Sequence, residues 1–150
     1  MATHLMFTGD VNLMNVTRPE APFVRVKPVL QQADVLFGNL ECCFYTPPAQ
    51  RSISDEGFCA APAMVESLRA AGYAAVGTAN NVNYGREAIL GSLQELDRAG
   101  IKHTGSGADR TAARAPAIVE HRGVRVGYLQ RTSVYWPTNH EAGEHTPGVA

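Results

Sequence analysis

The sequence has no long hydrophobic run, no basic block and few cysteines, and each of these absences excludes a class of protein. Its 150 residues carry 13 basic and 14 acidic side chains, for a formal net charge of −1, so no dense positive surface is predicted for a nucleic acid. Only a short apolar run precedes Thr8 and Gly9, which is too short for a signal peptide or a membrane segment. The chain as given is therefore predicted to be cytoplasmic and not to bind nucleic acid, although an upstream export signal would change the compartment.

The three cysteines do not form the pattern of a disulfide framework. Cys42 and Cys43 are adjacent, and neighbours in sequence rarely have the geometry to pair with each other, while Cys59 stands alone. No Cys-x-x-Cys motif occurs, so a metal site made of cysteines alone is not predicted. All three are predicted to be free thiols, buried or half-buried.

Apolar runs that alternate with glycine, proline and polar residues predict a single α/β domain. Predicted strands cover residues 4–8, 35–38, 73–77 and 101–104. Predicted helices cover residues 28–33, 62–71 and 84–99, with Asn83 as the cap of the last. A hairpin is predicted around Arg122-Gly123, whereas residues 41–57, 105–107 and those after 131 are predicted to be loops or turns. This order indicates a mostly parallel sheet with some antiparallel strands, flanked by helices.

Side chains with oxygen atoms follow three of the predicted strands. They are Asp10 and Asn12 after the first strand, Asn39 and Glu41 after the second, and Asn80 and Asn81 after the third. Ligands of such sheets gather beyond the carboxyl ends of the strands, and carboxylate and carboxamide oxygens suit magnesium or manganese. Each motif alone is also typical of an ordinary turn, so the prediction of a metal site depends on the three occurring together.

These segments resemble the capsule-synthesis family associated with poly-γ-glutamate (CapA type), which has a metallophosphatase-like fold. The matching segments are residues 8–13, 33–41, 79–81, 84–85, 99–101, 105–107 and 123–128. The resemblance covers almost the whole chain up to about residue 132. It implies a sandwich of two sheets flanked by helices, and residues 1–150 would be the amino-terminal half of that domain, incomplete at the carboxyl end.

The resemblance also implies a divalent-metal site for manganese, zinc or magnesium, with two ions in the full site. Asp10 would be the ligand of the first motif, and Glu41 would be the carboxylate of the second, with Asn39 beside it. Asn81 would supply a carboxamide oxygen. The implied chemistry is metal-assisted hydrolysis of a small-molecule or anionic polymer substrate in capsule or poly-γ-glutamate biosynthesis or processing.

Two features of the chain depart from the family pattern. The family usually has a histidine directly after the asparagine pair, but here Val82 follows Asn81, and Asn83 occupies the place of an aspartate. This departure predicts weaker catalysis or none. The chain also stops at Ala150, before the family's later histidine motifs, and the two departures together leave open a non-catalytic module for polymer binding or assembly, or a fragment of a longer enzyme. The segment from His140 to His145 lacks the spacing of a zinc helix and is predicted to be a solvated loop.

Overall fold

The computed structural model describes residues 2–50, 52, 55–135 and 139–150. In chain order, the strands are β1 Leu5–Val11, β2 Val35–Leu40, β3 Cys43–Phe44, β4 Cys59–Ala60, β5 Tyr73–Gly77, β6 Lys102–Thr104, β7 Ser106–Gly107, β8 Ala117–His121, β9 Val124–Tyr128 and β10 Gly148–Val149. The helices are α1 Lys27–Leu30, α2 Val65–Ala71, α3 Arg86–Arg98 and α4 Arg110–Ala113, and a 3-10 turn at Pro62–Met64 leads into α2.

The centre of the fold is a parallel sheet in the order β1-β2-β5-β6. Its register shifts along β1, and the shift places Asp10 opposite Asn39. Asn39 is in turn opposite Gly77 on β5. The sheet therefore aligns the carboxyl ends of three strands in one row, and the predicted α/β fold with a mostly parallel sheet is confirmed.

Helices α2 and α3 lie within the segments in which the sequence predicts helices. A proline opens the turn before α2, and Gly72 ends that helix with a φ of 93°, a left-handed conformation that glycine adopts without strain. Helix α3 buries Ala88, Ile89, Ser92 and Leu96 along one face. Among the described residues, no helix is both long enough and apolar enough to cross a membrane.

The two faces of the central sheet carry different layers. Leu36, Leu40 and Val76 belong to the main core, which also contains Leu68 of α2 and Leu96 of α3. On the opposite face, the alternate strand residues Val35 and Ala75 pack with Ala117 and Tyr128 of the β8–β9 hairpin. This alternation follows from the period of two along a strand, so successive side chains enter different layers.

The β8–β9 hairpin confirms the predicted turn. Its strands pair antiparallel from Ala117 to Tyr128. Arg122 and Gly123 both have positive φ, 48° and 81°, which suits the tight turns whose twist matches that of a hairpin. The same hairpin carries the end of β9 back towards the carboxyl ends of the parallel strands.

Several local predictions are wrong. Strand β1 continues beyond Thr8 because its next residues pair with β2. Part of the predicted loop at residues 41–57 forms β3, which pairs with β4, although residues 51, 53 and 54 lie outside the described residues. Helix α3 begins after Gly85, and the Asn83 side chain does not cap it; its amide nitrogen instead donates to the carbonyls of Leu40 and Thr78 at 2.7 and 3.1 Å.

The chain after β6 has more regular structure than the sequence predicts. The residues predicted as a turn at 105–107 include β7, which pairs antiparallel with β10 in the segment predicted to lack any element. Helix α4 is capped by Asp109, whose carboxylate accepts the backbone N–H of Ala112 at 2.8 Å. These elements are too short to show a period in the sequence, and they depend on pairing with distant residues.

The three cysteines are free thiols, as predicted. Cys42 and Cys43 are buried and Cys59 is half-buried. Burial raises the pKa of the Cys42 thiol to about 12 and that of Cys43 well above its ordinary value. These two thiols therefore stay protonated in the folded chain at neutral pH.

Candidate metal centre

The ends of β1 and β2 bring two carboxylates to one amide group. The side-chain nitrogen of Asn39 donates to Oδ1 of Asp10 at 2.8 Å and lies 3.5 Å from Oε1 of Glu41. Asp10 is exposed and Glu41 is half-buried. The two residues are separated by about thirty positions in sequence, and the parallel register of the strands places them side by side.

The pKa of Glu41 lies above its ordinary value. Burial raises the pKa of Glu41, and the nearby Asp10 raises it further, while the hydrogen bond from Asn39 acts in the opposite direction. A second negative charge thus disfavours the ionised form of Glu41. A cation placed between the two carboxylates would relieve this repulsion.

Asn80 connects the end of β5 to the same row. Its side chain is buried, with 6% of the residue exposed. The amide nitrogen donates to the carbonyl of Leu40 at 2.8 Å and to Oδ1 of Asn39 at 3.2 Å. Its oxygen accepts the backbone N–H groups of Val82 and Asn83 at 3.2 and 3.0 Å. Both ends of this amide are therefore engaged within the protein.

The other two predicted residues are exposed. Asn12 is exposed, and its side-chain oxygen accepts the backbone N–H of Met14 at 2.9 Å, so it stabilises the turn after β1. Asn81 follows Asn80 and is exposed. Of the six predicted site residues, Asp10, Asn39, Glu41 and Asn80 form one hydrogen-bonded row, and that all six bind a metal stays a prediction.

Gln130 belongs to this row, although it is not among the residues predicted from the sequence. Its side-chain nitrogen donates to Oδ1 of Asn39 at 2.8 Å, and its oxygen accepts the backbone N–H of Ala79 at 2.9 Å. A glutamine just after an apolar strand has no distinguishing local pattern. The only signal would have been its place beyond the end of β9, at the tip of the predicted hairpin strand.

His140 also reaches the row, and its prediction as part of a solvated loop is wrong. Only 1% of the residue is exposed, and Nε2 lies 2.9 Å from the backbone carbonyl of Asn80. A carbonyl can only accept, so Nε2 carries the proton and donates. The ring centroid also lies 5.8 Å from that of Tyr84. His145, by contrast, has an exposed side chain, as predicted.

Burial of His140 predicts a loss of stability in mild acid. Burial lowers its pKa from 6.5, and the hydrogen bond to Asn80 opposes that shift only in part. The unfolded chain therefore binds a proton near pH 6.5 that the folded chain binds only at lower pH, so the stabilisation is present above pH 6.5 and falls as the pH drops below it. We expect the free energy of unfolding to decrease by at most about 1.4 kcal/mol per pH unit from this one group.

The measurement is urea unfolding between pH 8 and pH 5 for the wild type and His140→Gln. Glutamine keeps an N–H donor for the Asn80 carbonyl but does not titrate. The variant should show a shallower dependence on pH below 6.5. Equal slopes for both proteins would contradict a buried neutral histidine at this position.

Within residues 2–50, 52, 55–135 and 139–150, no group of three or more His, Cys, Asp or Glu side chains is arranged to hold a metal. The site as described therefore contains two carboxylates, Asp10 and Glu41, with carboxamide groups around them. Magnesium in proteins is commonly held by one or two carboxylates and several waters, so a pair of carboxylates is compatible with such an ion.

The comparisons with known proteins identify a family for this chain. The profile of the family described as bacterial capsule synthesis protein PGA_cap matches residues 4–149. Two proteins of Sinorhizobium fredii (strain NBRC 101917 / NGR234), described as uncharacterized proteins y4sH and y4uA, are each 30% identical to the chain over 141 residues. The match covers 85% of this chain and 30% of each relative, so the chain spans less than a third of their length. The chain belongs to the bacterial capsule synthesis family PGA_cap.

Proposed function

We propose that this chain carries part of a divalent-metal hydrolase site that acts in capsule or poly-γ-glutamate metabolism. The observation that supports it best is the pair Asp10 and Glu41, which share one amide donor at the carboxyl ends of adjacent parallel strands. This is where ligands bind in sheets of this kind. Membership of the capsule synthesis family supports the pathway, and the reaction is inferred from the ligand chemistry.

The donor set fits a hard divalent cation. Asp10 and Glu41 would hold it, and the exposed Asn81 would add a carboxamide oxygen. Asn39 and Asn80 have their amide oxygens engaged by other groups of the protein, so we propose that they position the ligands instead of binding the ion. When bound, magnesium or manganese would supply a Lewis acid and lower the pKa of a coordinated water.

The residues of the chain itself would prepare the site for that chemistry. Asn39 holds the two carboxylates at one separation. Asn80 links the end of β2 to the loop after β5, and Asn81 follows it in that loop. An anionic substrate, such as a carboxylate polymer, would be drawn to the bound cation and not to a basic surface, since the net charge of the chain is −1.

A second candidate function is a polymer-binding or assembly module with the same fold. It is favoured by the residue after Asn81, where the family usually has a histidine. Val82 has no titratable group, and its backbone is held by hydrogen bonds to Asn80 and Phe58. A proton donor is therefore missing from the place where catalysis would use one. Hydrolysis of a phosphoester or a γ-glutamyl substrate by the purified chain would exclude this candidate.

The test of the metal site is calorimetric titration with Mg²⁺ and Mn²⁺. We expect Asp10→Asn and Glu41→Gln each to weaken binding about 100-fold, because each removes one of two charged ligands. The matched control is Glu120→Gln, which neutralises an exposed carboxylate on β8 and should leave affinity unchanged. If both site variants bind the ions as tightly as the wild type, the proposed site is wrong.

A further inference from the structure

We infer that Gln130 is a positioning residue of this site, because it sets the direction in which the Asn39 amide faces. The two side chains are 91 positions apart in sequence and 2.8 Å apart in the fold. The role in metal binding rests on the proposed function, whereas the orientation of Asn39 can be tested without it. Two backbone-anchored amides and one glycine support this inference.

The orientation of an amide side chain is decided by its partners, since its oxygen and nitrogen have nearly the same shape. A backbone N–H can only donate. The N–H of Ala79 meets one end of the Gln130 amide at 2.9 Å, so that end is the oxygen and the other end is the NH₂ group. By the same reasoning, the N–H groups of Val82 and Asn83 identify the oxygen of Asn80.

Both NH₂ groups then converge on Asn39. Gln130 and Asn80 donate to its Oδ1 at 2.8 and 3.2 Å. An oxygen that receives two donors leaves the NH₂ group at the other end, facing Asp10 and Glu41. The backbone N–H groups at the end of β5 therefore determine, through two amide side chains, that Asn39 offers donors to both carboxylates.

This direction has a consequence for the carboxylates. The NH₂ group of Asn39 faces the two carboxylates, so Asn39 holds Asp10 and Glu41 together. It does not compete with them for a cation, because an NH₂ group cannot ligate one. A reversed Asn39 would place NH₂ against NH₂ on one side and oxygen against carboxylate on the other. Gln130 makes the shorter of the two bonds to Oδ1 and is therefore the main support of the observed direction.

Gly77 provides the space through which Gln130 reaches Asn39. A Cβ atom at Gly77 would lie 2.2 Å from Oε1, 2.5 Å from Cδ and 2.9 Å from Nε2 of Gln130. These atoms belong to the end of a flexible side chain, so an alanine at this position would move Gln130 away and leave the strand in place. Gly77→Ala is therefore a second way to remove the same support.

The experiment observes the side-chain NH₂ signals of Asn39 by NMR in the ¹⁵N-labelled chain, identified by their loss in Asn39→Asp. Gln130→Glu is the decisive variant, because a carboxylate still accepts the Ala79 N–H but cannot donate to Asn39. We expect exchange of the Asn39 NH₂ protons with water to become about tenfold faster in Gln130→Glu and in Gly77→Ala, as for the loss of one hydrogen bond. The matched control is Gln94→Glu on the exposed face of α3.

If Gln130→Glu and Gly77→Ala both keep the wild-type Asn39 signals, Gln130 only ties down residue 79 and the inference is overturned. A second readout is Mg²⁺ affinity of Gln130→Met, which adds no charge and should bind about threefold to tenfold more weakly if the carboxylates lose their spacing. Absence of Mg²⁺ binding by the wild type would remove the proposed function. The Asn39 signals would still decide whether Gln130 orients that amide.

Discussion

Replacement of Gly57 by alanine is expected to destabilise the folded chain by about 3 to 5 kcal/mol, because the added methyl group would overlap backbone that cannot yield. A Cβ atom at this position would lie 1.8 Å from the carbonyl oxygen of Val82 and 2.8 Å from its carbonyl carbon. The third neighbour, Cδ1 of Tyr84, would be 3.0 Å away. Two of the three contacts are thus with main chain and not with the end of a flexible side chain.

The backbone around Gly57 is also the support of the loop after β5. The N–H of Gly57 donates to the carbonyl of Tyr84 at 3.1 Å, and the N–H of Phe58 donates to that of Val82 at 2.9 Å. Any shift that makes room for a methyl group would break these bonds, which dock the segment that carries Asn80 and Asn81. The variant should therefore lose metal affinity together with stability.

Urea unfolding followed by far-ultraviolet circular dichroism measures the effect. Gly9→Ala is the matched control, because nothing lies within 4 Å of a Cβ at Gly9 and its φ is not in the left-handed region. It should change the free energy of unfolding by less than about 0.5 kcal/mol. A Gly57→Ala variant as stable as Gly9→Ala would mean that the contact with Val82 is not tight in solution.

Replacement of Asn80 by leucine is expected to cost about 3 kcal/mol, because it removes four hydrogen bonds from a buried position without leaving a cavity. The N–H groups of Val82 and Asn83 would lose their acceptor. The carbonyl of Leu40 would keep one donor, from the Asn83 side chain at 2.7 Å. The two orphaned backbone donors therefore account for most of the expected loss.

The variant Asn80→Asp tests the acceptor and donor roles of this amide separately. A protonated carboxyl group keeps the acceptor for Val82 and Asn83, but it has one O–H donor in place of the two bonds that the Asn80 NH₂ group donates to Leu40 and Asn39. Its stability should therefore lie between those of the wild type and Asn80→Leu when unfolding is measured at a pH that protonates the carboxyl group. The control is Gln94→Leu, which alters an exposed amide on α3. An Asn80→Leu variant within about 1 kcal/mol of the wild type would contradict the role assigned to these bonds.

The row of polar residues at the strand ends was predictable because it depends on local pattern. The apolar segments before Asp10, Asn39 and Asn80 are long enough to indicate strands, and glycine or asparagine indicates where each ends. Parallel strands in one sheet place their carboxyl ends at the same edge. Proximity of Asp10 and Glu41 therefore followed from the order of the elements, without knowledge of a distance.

Gln130 and His140 were not predictable, for a different reason. Gln130 reaches Asn39 across 91 positions, and His140 reaches Asn80 across 60. Neither residue has a local pattern that distinguishes it from an ordinary loop residue. The short strands β7 and β10 were missed for the same reason, because two residues show no period and their pairing partner is distant.

Residue type and local pattern are sufficient to place particular chemical groups at the ends of the strands. The role of each group there depends on contacts that form only in the folded chain. An asparagine can offer either an oxygen or an NH₂ group, and the choice at Asn39 depends on donors from Asn80 and Gln130. Those donors are oriented by backbone N–H groups. The orientation of the Asn39 amide is therefore set only when the sheet, the loop after β5 and the β8–β9 hairpin are packed together.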